Sequence, residues 1–166
     1  MRHTATGAGR YMVAIINEAL ELRIGNRVLE VGAGSAYHAA TVAEQIGPQG
    51  HVHTIELVPE LVKLARSNLE EAGYSDRVTL VQGDGSLGYP DRAPYDRIVV
   101  TAAAPKIPHP LVAQLRPGGI LIIPVGGRLF PQELVKVRKD EKGRIERTSL
   151  GGVAFVPLIG KEGFDS

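Results

Sequence analysis

The stretch Val28-Leu29-Glu30-Val31-Gly32-Ala33-Gly34-Ser35-Ala36 determines the fold that the sequence predicts. Its aliphatic half is typical of a buried β-strand, and residues 36–46 have the composition of an α-helix. Between the two, Gly32 and Gly34 allow a sharp turn that brings backbone N–H groups close to a ligand. The stretch therefore predicts a strand–loop–helix unit whose loop can bind a small molecule.

The alternation of strands and helices continues over the first 125 residues. Strands are predicted at 27–31, 51–56, 78–82, 96–101 and 120–125, and helices at 11–22, 36–46, 59–72 and 110–115. Alternating elements form right-handed βαβ units, which build an open, mostly parallel sheet with helices on both faces. The predicted fold class is therefore α/β.

The last third of the chain predicts a different arrangement. Residues 132–138 and 145–158 are predicted strands, and the polar turn 140–143 joins them without a helix. Such a pair is a hairpin, which adds an antiparallel edge to the parallel sheet. We expect a single domain over 1–166, with a short N-terminal segment (1–10), a βα core (11–125) and a C-terminal hairpin and tail (126–166).

Composition restricts the partners and the compartment. Lys and Arg number 19 against 18 Asp and Glu, so the charge of +1 offers no field for nucleic acid or anionic lipid. The chain has no cysteine, which excludes disulfides and thiolate chemistry and fits a reducing compartment. No apolar run reaches the roughly 20 residues of a membrane span, and no signal peptide is visible. We expect a cytoplasmic protein that binds neither nucleic acid nor membrane.

The spacing of the glycine loop bears on the ligand. A dinucleotide loop of the G-x-G-x-x-G type needs glycine at position 37, where this chain has tyrosine. The spacing Gly32, Gly34, Ala36 is a variant associated with S-adenosylmethionine sites, which hold no pyrophosphate. The loop alone leaves this interpretation and an ordinary tight turn equally open.

Acidic residues follow the next two strands. Glu56 ends the second strand, about 20 residues beyond the loop, where a carboxylate can accept both hydroxyls of a ribose. Asp84 follows the third strand within Gly83-Asp84-Gly85 and can accept from the exocyclic amine of adenine, although this tripeptide is also a good turn. Three such loops on consecutive strand ends, together with the hairpin, favour the class I S-adenosylmethionine methyltransferase fold over a dehydrogenase.

The histidines predict no metal site. His51 and His53 lie on one face of a strand, but no carboxylate or third histidine stands at ligand spacing. We therefore expect no metal and interpret these histidines as structural or surface residues.

Several segments resemble one family of methyltransferases. They are residues 28–40, 83–85, 93–96, 100–105, 117–126 and 155–158, in family order from about Met12 to the C-terminus. On these motifs the chain is identified as a member of the protein-L-isoaspartate O-methyltransferases, of the archaeal or bacterial type. The block around Thr101 and the ending Val156-Pro157-Leu158 are specific to this family.

The resemblance implies a repair activity and a set of site residues. The enzyme would transfer a methyl group from S-adenosyl-L-methionine to the free α-carboxylate of L-isoaspartyl residues in damaged proteins, leaving S-adenosyl-L-homocysteine. The implied cofactor residues are Glu30, Gly32, Ala33, Gly34, Ser35, His38, Glu56, Leu57, Asp84 and Gly85. The implied substrate residues are Thr101, Ala102, Ala103, Val156, Pro157 and Leu158, acting largely through their backbone.

The N-terminus departs from the family pattern. Members usually carry a helical segment of several dozen residues before the first strand, and here only Met1–Gly9 precede the first helix, which predicts a shortened and divergent N-terminus. The family motif Thr-Ile-Ser-Ala-Pro-His-Met aligns with residues 6–12, so Ala8 stands where the family has a serine that binds the substrate carboxylate. Arg10 is a candidate substitute, and no catalytic residue is otherwise assigned.

Three alternatives stay open. The chain could be a truncated or degenerate relative that binds S-adenosylmethionine and methylates little. It could also methylate another carboxylate or a small molecule. An NAD oxidoreductase is disfavoured by Tyr37 and the terminal hairpin. We expect a monomer or a weak homo-oligomer.

Overall fold

The computed structural model describes residues 9–166. The helices are α1 (Arg10–Leu20), α2 (Tyr37–Ile46), α3 (Pro59–Ala72) and α4 (His109–Gln114). The strands are β1 (Arg27–Val31), β2 (His51–Glu56), β3 (Val78–Gln82), β4 (Tyr95–Val100), β5 (Leu115–Gly126), β6 (Gln132–Lys139) and β7 (Ile145–Val153). Two short 3₁₀ turns, Gly85–Leu87 and Pro90–Arg92, lie between β3 and β4.

The strands form one seven-stranded sheet in the order β3-β2-β1-β4-β5-β6-β7. β1 to β5 are parallel, whereas β6 runs antiparallel to β5 and β7 antiparallel to β6. The predicted α/β class with an antiparallel C-terminal hairpin is therefore confirmed. The strand order reverses between β1 and β4, which is where open α/β sheets bind their ligands.

Alternation along the buried strands places a helical layer on each face of the sheet. Val28 packs with α2 and α3, and Val99 with α1, in clusters on one face. Leu29 and Ile98 belong to the cluster on the other face, which includes Leu111 of α4. The central strands β1, β4 and β5 are rich in aliphatic residues because both of their faces are covered. No helix among residues 9–166 combines the length and apolar character that crossing a membrane requires.

Two predicted strands differ from the observed ones by several residues at one end. The strand predicted at 145–158 ends at Val153, because β6 begins at Gln132, the partner of Val153, and offers nothing further to pair with. The chain beyond Val153 crosses to the parallel part of the sheet and forms an isolated bridge between Pro157 and Ala103. The strand predicted at 120–125 begins earlier, at Leu115, with a register shift opposite Tyr95 and Arg97.

Candidate active site

A cleft of about 300 Å³ opens at the carboxyl ends of β1, β2 and β4. Most of the residues predicted for the cofactor line it: Gly32, Ala33, Gly34, Ser35, His38, Glu56, Leu57 and Gly85. The predicted substrate residues Thr101, Ala102, Val156, Pro157 and Leu158 line it as well. Glu30, Asp84 and Ala103 are not part of its wall. The tertiary structure thus brings most of both predicted sets of residues together at one opening.

The glycine loop is held in a conformation that requires glycine at its first position. Gly32 has a φ of +96°, and a Cβ there would collide with the hydroxyl of Thr101. That hydroxyl donates to the carbonyl of Gly32 at 2.7 Å, so the ends of β1 and β4 are joined. Gly34 has a φ of +53°, and a Cβ there would meet nothing within 4 Å. The backbone at Gly34 therefore leaves room for a ligand to approach.

The carboxylate of Glu56 joins the end of β2 to this loop. Its Oε2 accepts the N–H of Gly34 at 2.9 Å, and its Oε1 accepts the N–H of Val58 at 3.0 Å. The side chain is buried, at 7% exposure, yet lines the cleft. Each carboxylate oxygen can accept a further hydrogen bond, so Glu56 can still receive two hydroxyls from a ligand.

A chain of buried polar groups supports the loop from below. The hydroxyl of Thr54 donates to Glu30 Oε1 at 2.8 Å, and Glu30 Oε2 lies 3.1 Å from Nδ1 of His38. On the other side of the imidazole, Nε2 lies 2.7 Å from the amide oxygen of Asn17 in α1. The Glu30–His38 contact is at ion-pair distance but is poorly aligned for a hydrogen bond. Glu30 therefore lies behind the cleft and supports His38, which is in the wall.

The loop after β3 separates the two residues predicted there. Gly85 lines the cleft, and a Cβ at this position would collide with Val31. Asp84 instead accepts from the N–H and hydroxyl of Ser86, at 2.9 and 2.7 Å, and from the N–H of Lys161 at 2.8 Å. Burial raises the pKa of Asp84, but these hydrogen bonds outweigh it and the pKa is lowered. The structure thus directs this carboxylate to the C-terminal tail, and its predicted contact with adenine stays a prediction.

The opposite wall of the cleft consists of two short segments that bind each other. The N–H of Ala103 donates to the carbonyl of Val156, and the N–H of Leu158 donates to the carbonyl of Ala103, both at 2.8 Å. Ala103 is fully buried, and its N–H and carbonyl are both used in these hydrogen bonds, so its predicted part in substrate binding stays a prediction. Val156 is 61% exposed and Thr101 and Ala102 face the cleft. Thr101, Ala102 and Val156, which the sequence predicts for the substrate, are therefore accessible from the cleft.

The N-terminal helix contributes residues that the sequence did not indicate. Val13 and Ile16 of α1 line the cleft, as does Tyr37 at the start of α2. The periodicity of α1 predicts an apolar face, but it cannot show that one edge of that face borders a ligand site. Arg10 is the first residue of α1 and is exposed. Ala8 lies outside the described residues.

The histidines of β2 lie away from the cleft. The rings of His51 and His53 are 4.8 Å apart, and His53 also lies near Tyr89 and Tyr95. Burial, followed by the charge of His51, lowers the pKa of His53 to about 4. No group of three potential metal ligands occurs in the part of the chain that the structure describes.

The profile of the family described as protein-L-isoaspartate(D-aspartate) O-methyltransferase matches residues 1–163. The chain is 53% identical to a protein-L-isoaspartate O-methyltransferase of Hyperthermus butylicus over 98% of its own length and 70% of the relative's. It is 57% identical to the protein of that name from Methanopyrus kandleri, over 93% of this chain and 68% of that protein. The chain thus spans about two thirds of the length of these relatives.

Solved structures have the same fold. A protein-L-isoaspartate O-methyltransferase superposes with a TM-score of 0.81 at 31% identity, over 92% of this chain and 48% of that one. A Plasmodium falciparum protein of the same description, in complex with S-adenosyl-L-homocysteine, gives a TM-score of 0.82 at 25% identity, over 96% and 78% of the two chains. The chain belongs to the protein-L-isoaspartate O-methyltransferase family.

Proposed function

We propose that this chain transfers a methyl group from S-adenosyl-L-methionine to the α-carboxylate of L-isoaspartyl residues in damaged proteins. The observation that carries the proposal is the meeting of the glycine loop, Glu56 and the Thr101–Leu158 wall at one cleft. The identity above 50% to relatives named for this activity supports it.

The donor side of the cleft fits S-adenosylmethionine. The whole cleft has a volume of about 300 Å³, which lies at the lower end of the range for small-molecule sites, roughly 300–1,000 Å³. Gly34 leaves open space above the loop, and Glu56 presents acceptor positions that suit the ribose hydroxyls. Gly32 to Ser35, His38, Leu57 and Gly85 complete the proposed donor site.

The reaction requires alignment more than acid–base chemistry. When bound, S-adenosylmethionine supplies a sulfonium-linked methyl group. An oxygen of the substrate carboxylate attacks the methyl carbon, the carbon–sulfur bond breaks, and its electron pair remains on sulfur. The carboxylate is already ionised at neutral pH, so no residue has to remove a proton. Holding the two reactants in line can supply roughly 7–11 kcal/mol of the acceleration.

The acceptor side is proposed to consist of Thr101, Ala102 and Val156–Leu158, which face the glycine loop across the cleft. We propose a supporting role for Ala103, because its N–H and carbonyl bind Val156 and Leu158. At Ala8 no serine hydroxyl is available for the substrate carboxylate. We propose Arg10, exposed at the start of the helix that carries Val13 into the cleft, as a compensating positive charge.

The proposed macromolecular partner is a protein or peptide that contains isoaspartate. The cytoplasmic location and the monomeric or weakly oligomeric state stay predictions from the sequence.

Two measurements test the proposal in order. Calorimetry with S-adenosylhomocysteine tests the donor site, and absence of binding would overturn every methyltransferase interpretation. Transfer of a radiolabelled methyl group to an isoaspartyl peptide, with the matched aspartyl peptide as control, then tests the acceptor. Cofactor binding without transfer to either peptide would identify a degenerate relative or one with another acceptor. Unchanged transfer by the Arg10→Ala variant would remove Arg10 from the mechanism.

A further inference from the structure

One of the two segments in the wall opposite the glycine loop has no regular secondary structure. Residues 155–162 follow the end of β7 and are called here the C-terminal segment. Between its ends, Val156, Pro157 and Leu158 line the cleft. Leu158 is buried, but Val156 is 61% exposed, so burial of apolar surface does not fix the exposed part of this wall. Ala103 holds the middle of the segment through backbone hydrogen bonds to Val156 and Leu158, and the two ends are held by further hydrogen bonds.

The first end of the segment is held by the side chain of Gln132, the first residue of β6. The Nε2 of Gln132 donates to the carbonyl of Phe155 at 3.1 Å, and its Oε1 accepts the N–H of Phe155 at 2.7 Å. Gln132 therefore binds Phe155 as a neighbouring strand residue would, with one donor and one acceptor. Its Nε2 also lies 3.1 Å from the carbonyl of Gly127 and 3.3 Å from that of Leu129. Gln132 is 3% exposed, and its amide joins the β5–β6 loop to the C-terminal segment.

The second end is held by Asp84 and Ser86 in the loop after β3. Asp84 Oδ2 accepts the N–H of Lys161 at 2.8 Å, and the hydroxyl of Ser86 accepts the N–H of Glu162 at 3.0 Å. That hydroxyl donates in turn to Asp84 Oδ1 at 2.7 Å. Gly160 packs against the carboxylate so closely that a Cβ at position 160 would collide with it. The loop after β3, which also contributes Gly85 to the cleft, thus holds the second end of the C-terminal segment.

We infer that Gln132 and Asp84 are positioning residues that fix the C-terminal segment and thereby determine the affinity for the peptide acceptor. The inference rests on the proposed function, because it assigns the peptide to the wall between these two side chains. Neither residue lines the cleft, so each acts through the backbone that it holds. Releasing either end increases the conformational freedom of the segment, and the peptide must then order it on binding.

The test compares Gln132→Met and Asp84→Asn with the unmodified chain. Methionine keeps the size of glutamine but makes none of its hydrogen bonds, whereas asparagine keeps an acceptor for Ser86 and places an N–H₂ group against the N–H of Lys161. For both variants we expect the KM for an isoaspartyl peptide to rise about tenfold or more. For Gln132→Met we expect kcat at saturating peptide and the Kd of S-adenosylhomocysteine to change less than about twofold. Hydrogen exchange at Leu158 and Lys161 should become faster in the same variants.

Gln114→Met is the matched control. Gln114 also binds backbone through both atoms of its amide, since it accepts from Tyr89 and donates to Leu87. It holds a segment that does not line the cleft, so its replacement should leave the peptide KM and the exchange at Leu158 unchanged. An equal rise in the peptide KM for Gln114→Met would show that general destabilisation explains the rise in the other two variants, and it would overturn the inference.

The remaining outcomes are also decisive. Faster exchange at Leu158 with an unchanged KM would show that the segment does not bind the peptide. A higher Kd for S-adenosylhomocysteine in Asp84→Asn would instead support the contact between Asp84 and adenine that the sequence predicts. Asp84→Asn carries the test if Gln132→Met does not fold. If the unmodified chain methylates no isoaspartyl peptide, the proposed function fails, while hydrogen exchange still reports whether the two residues hold the segment.

Discussion

The carboxylate of Glu56 accepts the backbone N–H of Gly34 at 2.9 Å, although the two residues are 22 positions apart in the chain. The contact fixes the position of the glycine loop relative to the end of β2. The same carboxylate accepts from Val58 and lines the cleft, so it supports the loop and is available to a ligand at once.

Replacing Glu56 by glutamine should weaken cofactor binding. Glutamine has one acceptor oxygen instead of two, so its N–H₂ group must face either the N–H of Gly34 or that of Val58. A hydrogen bond to a charged group contributes about 1.5–3 kcal/mol, which corresponds to a Kd for S-adenosylhomocysteine roughly 10- to 150-fold higher by calorimetry. Glu60→Gln, in the exposed first turn of α3, is the control. Equal affinities for the two variants would show that Glu56 does not contact the ligand.

Alanine at Gly32 should destabilise the protein more than alanine at Gly73. Both glycines have a positive φ, of +96° and +78°, but only at Gly32 would a Cβ collide with a neighbour, the hydroxyl of Thr101. We expect a loss of about 1–2 kcal/mol at Gly73 from backbone strain, and a further 1–3 kcal/mol or so at Gly32 from the collision. Urea denaturation of both variants measures the difference. Equal losses would mean that Thr101 moves aside without cost.

Asn17→Leu should remove the contact between α1 and His38, the residue of α2 that lines the cleft beside the glycine loop. The variant removes the amide oxygen that lies 2.7 Å from His38 Nε2 and leaves a buried polar atom without a partner. We expect a loss of about 1–3 kcal/mol in the free energy of unfolding and a weaker affinity for S-adenosylhomocysteine, because His38 lines the cleft. Asn26→Leu, in the turn before β1, serves as the comparison. An Asn17 variant with normal cofactor affinity would limit this contact to a structural role.

His53 should make folding sensitive to pH between about 4 and 6.5. Burial lowers the pKa of His53 from 6.5 to about 4, so the unfolded chain binds a proton in this range that the folded chain does not. The stabilising contribution is therefore complete above pH 6.5 and is lost as the pH falls towards 4, with a slope of at most about 1.4 kcal/mol per pH unit. His53→Phe should show a shallower slope in urea denaturation from pH 4 to 6.5. Parallel curves for the variant and the unmodified chain would contradict the prediction.

The sequence by itself was sufficient for the parts of the site that depend on local spacing. The glycine loop follows a buried strand, and Glu56 ends the next one. In a parallel sheet the carboxyl ends of neighbouring strands lie at the same edge, so order along the chain implies proximity in space. The same reasoning predicted the α/β class and the C-terminal hairpin, because strand and helix periodicities are local properties.

Tertiary structure alone decided where the remaining side chains point. Asp84 follows its strand as Glu56 does, yet its carboxylate binds the backbone of Lys161, 77 positions away. Gln132 belongs to no sequence motif, and its amide has a function only because the start of β6 lies beside Phe155. Val13 and Ile16 reach the cleft because α1 packs across the sheet beside the glycine loop. Contacts of this kind depend on which distant segments fold against each other, and no local periodicity encodes that choice. The glycine loop could therefore be predicted from the sequence, whereas the residues that hold the opposite wall, Gln132 and Asp84, were identified only in the tertiary structure.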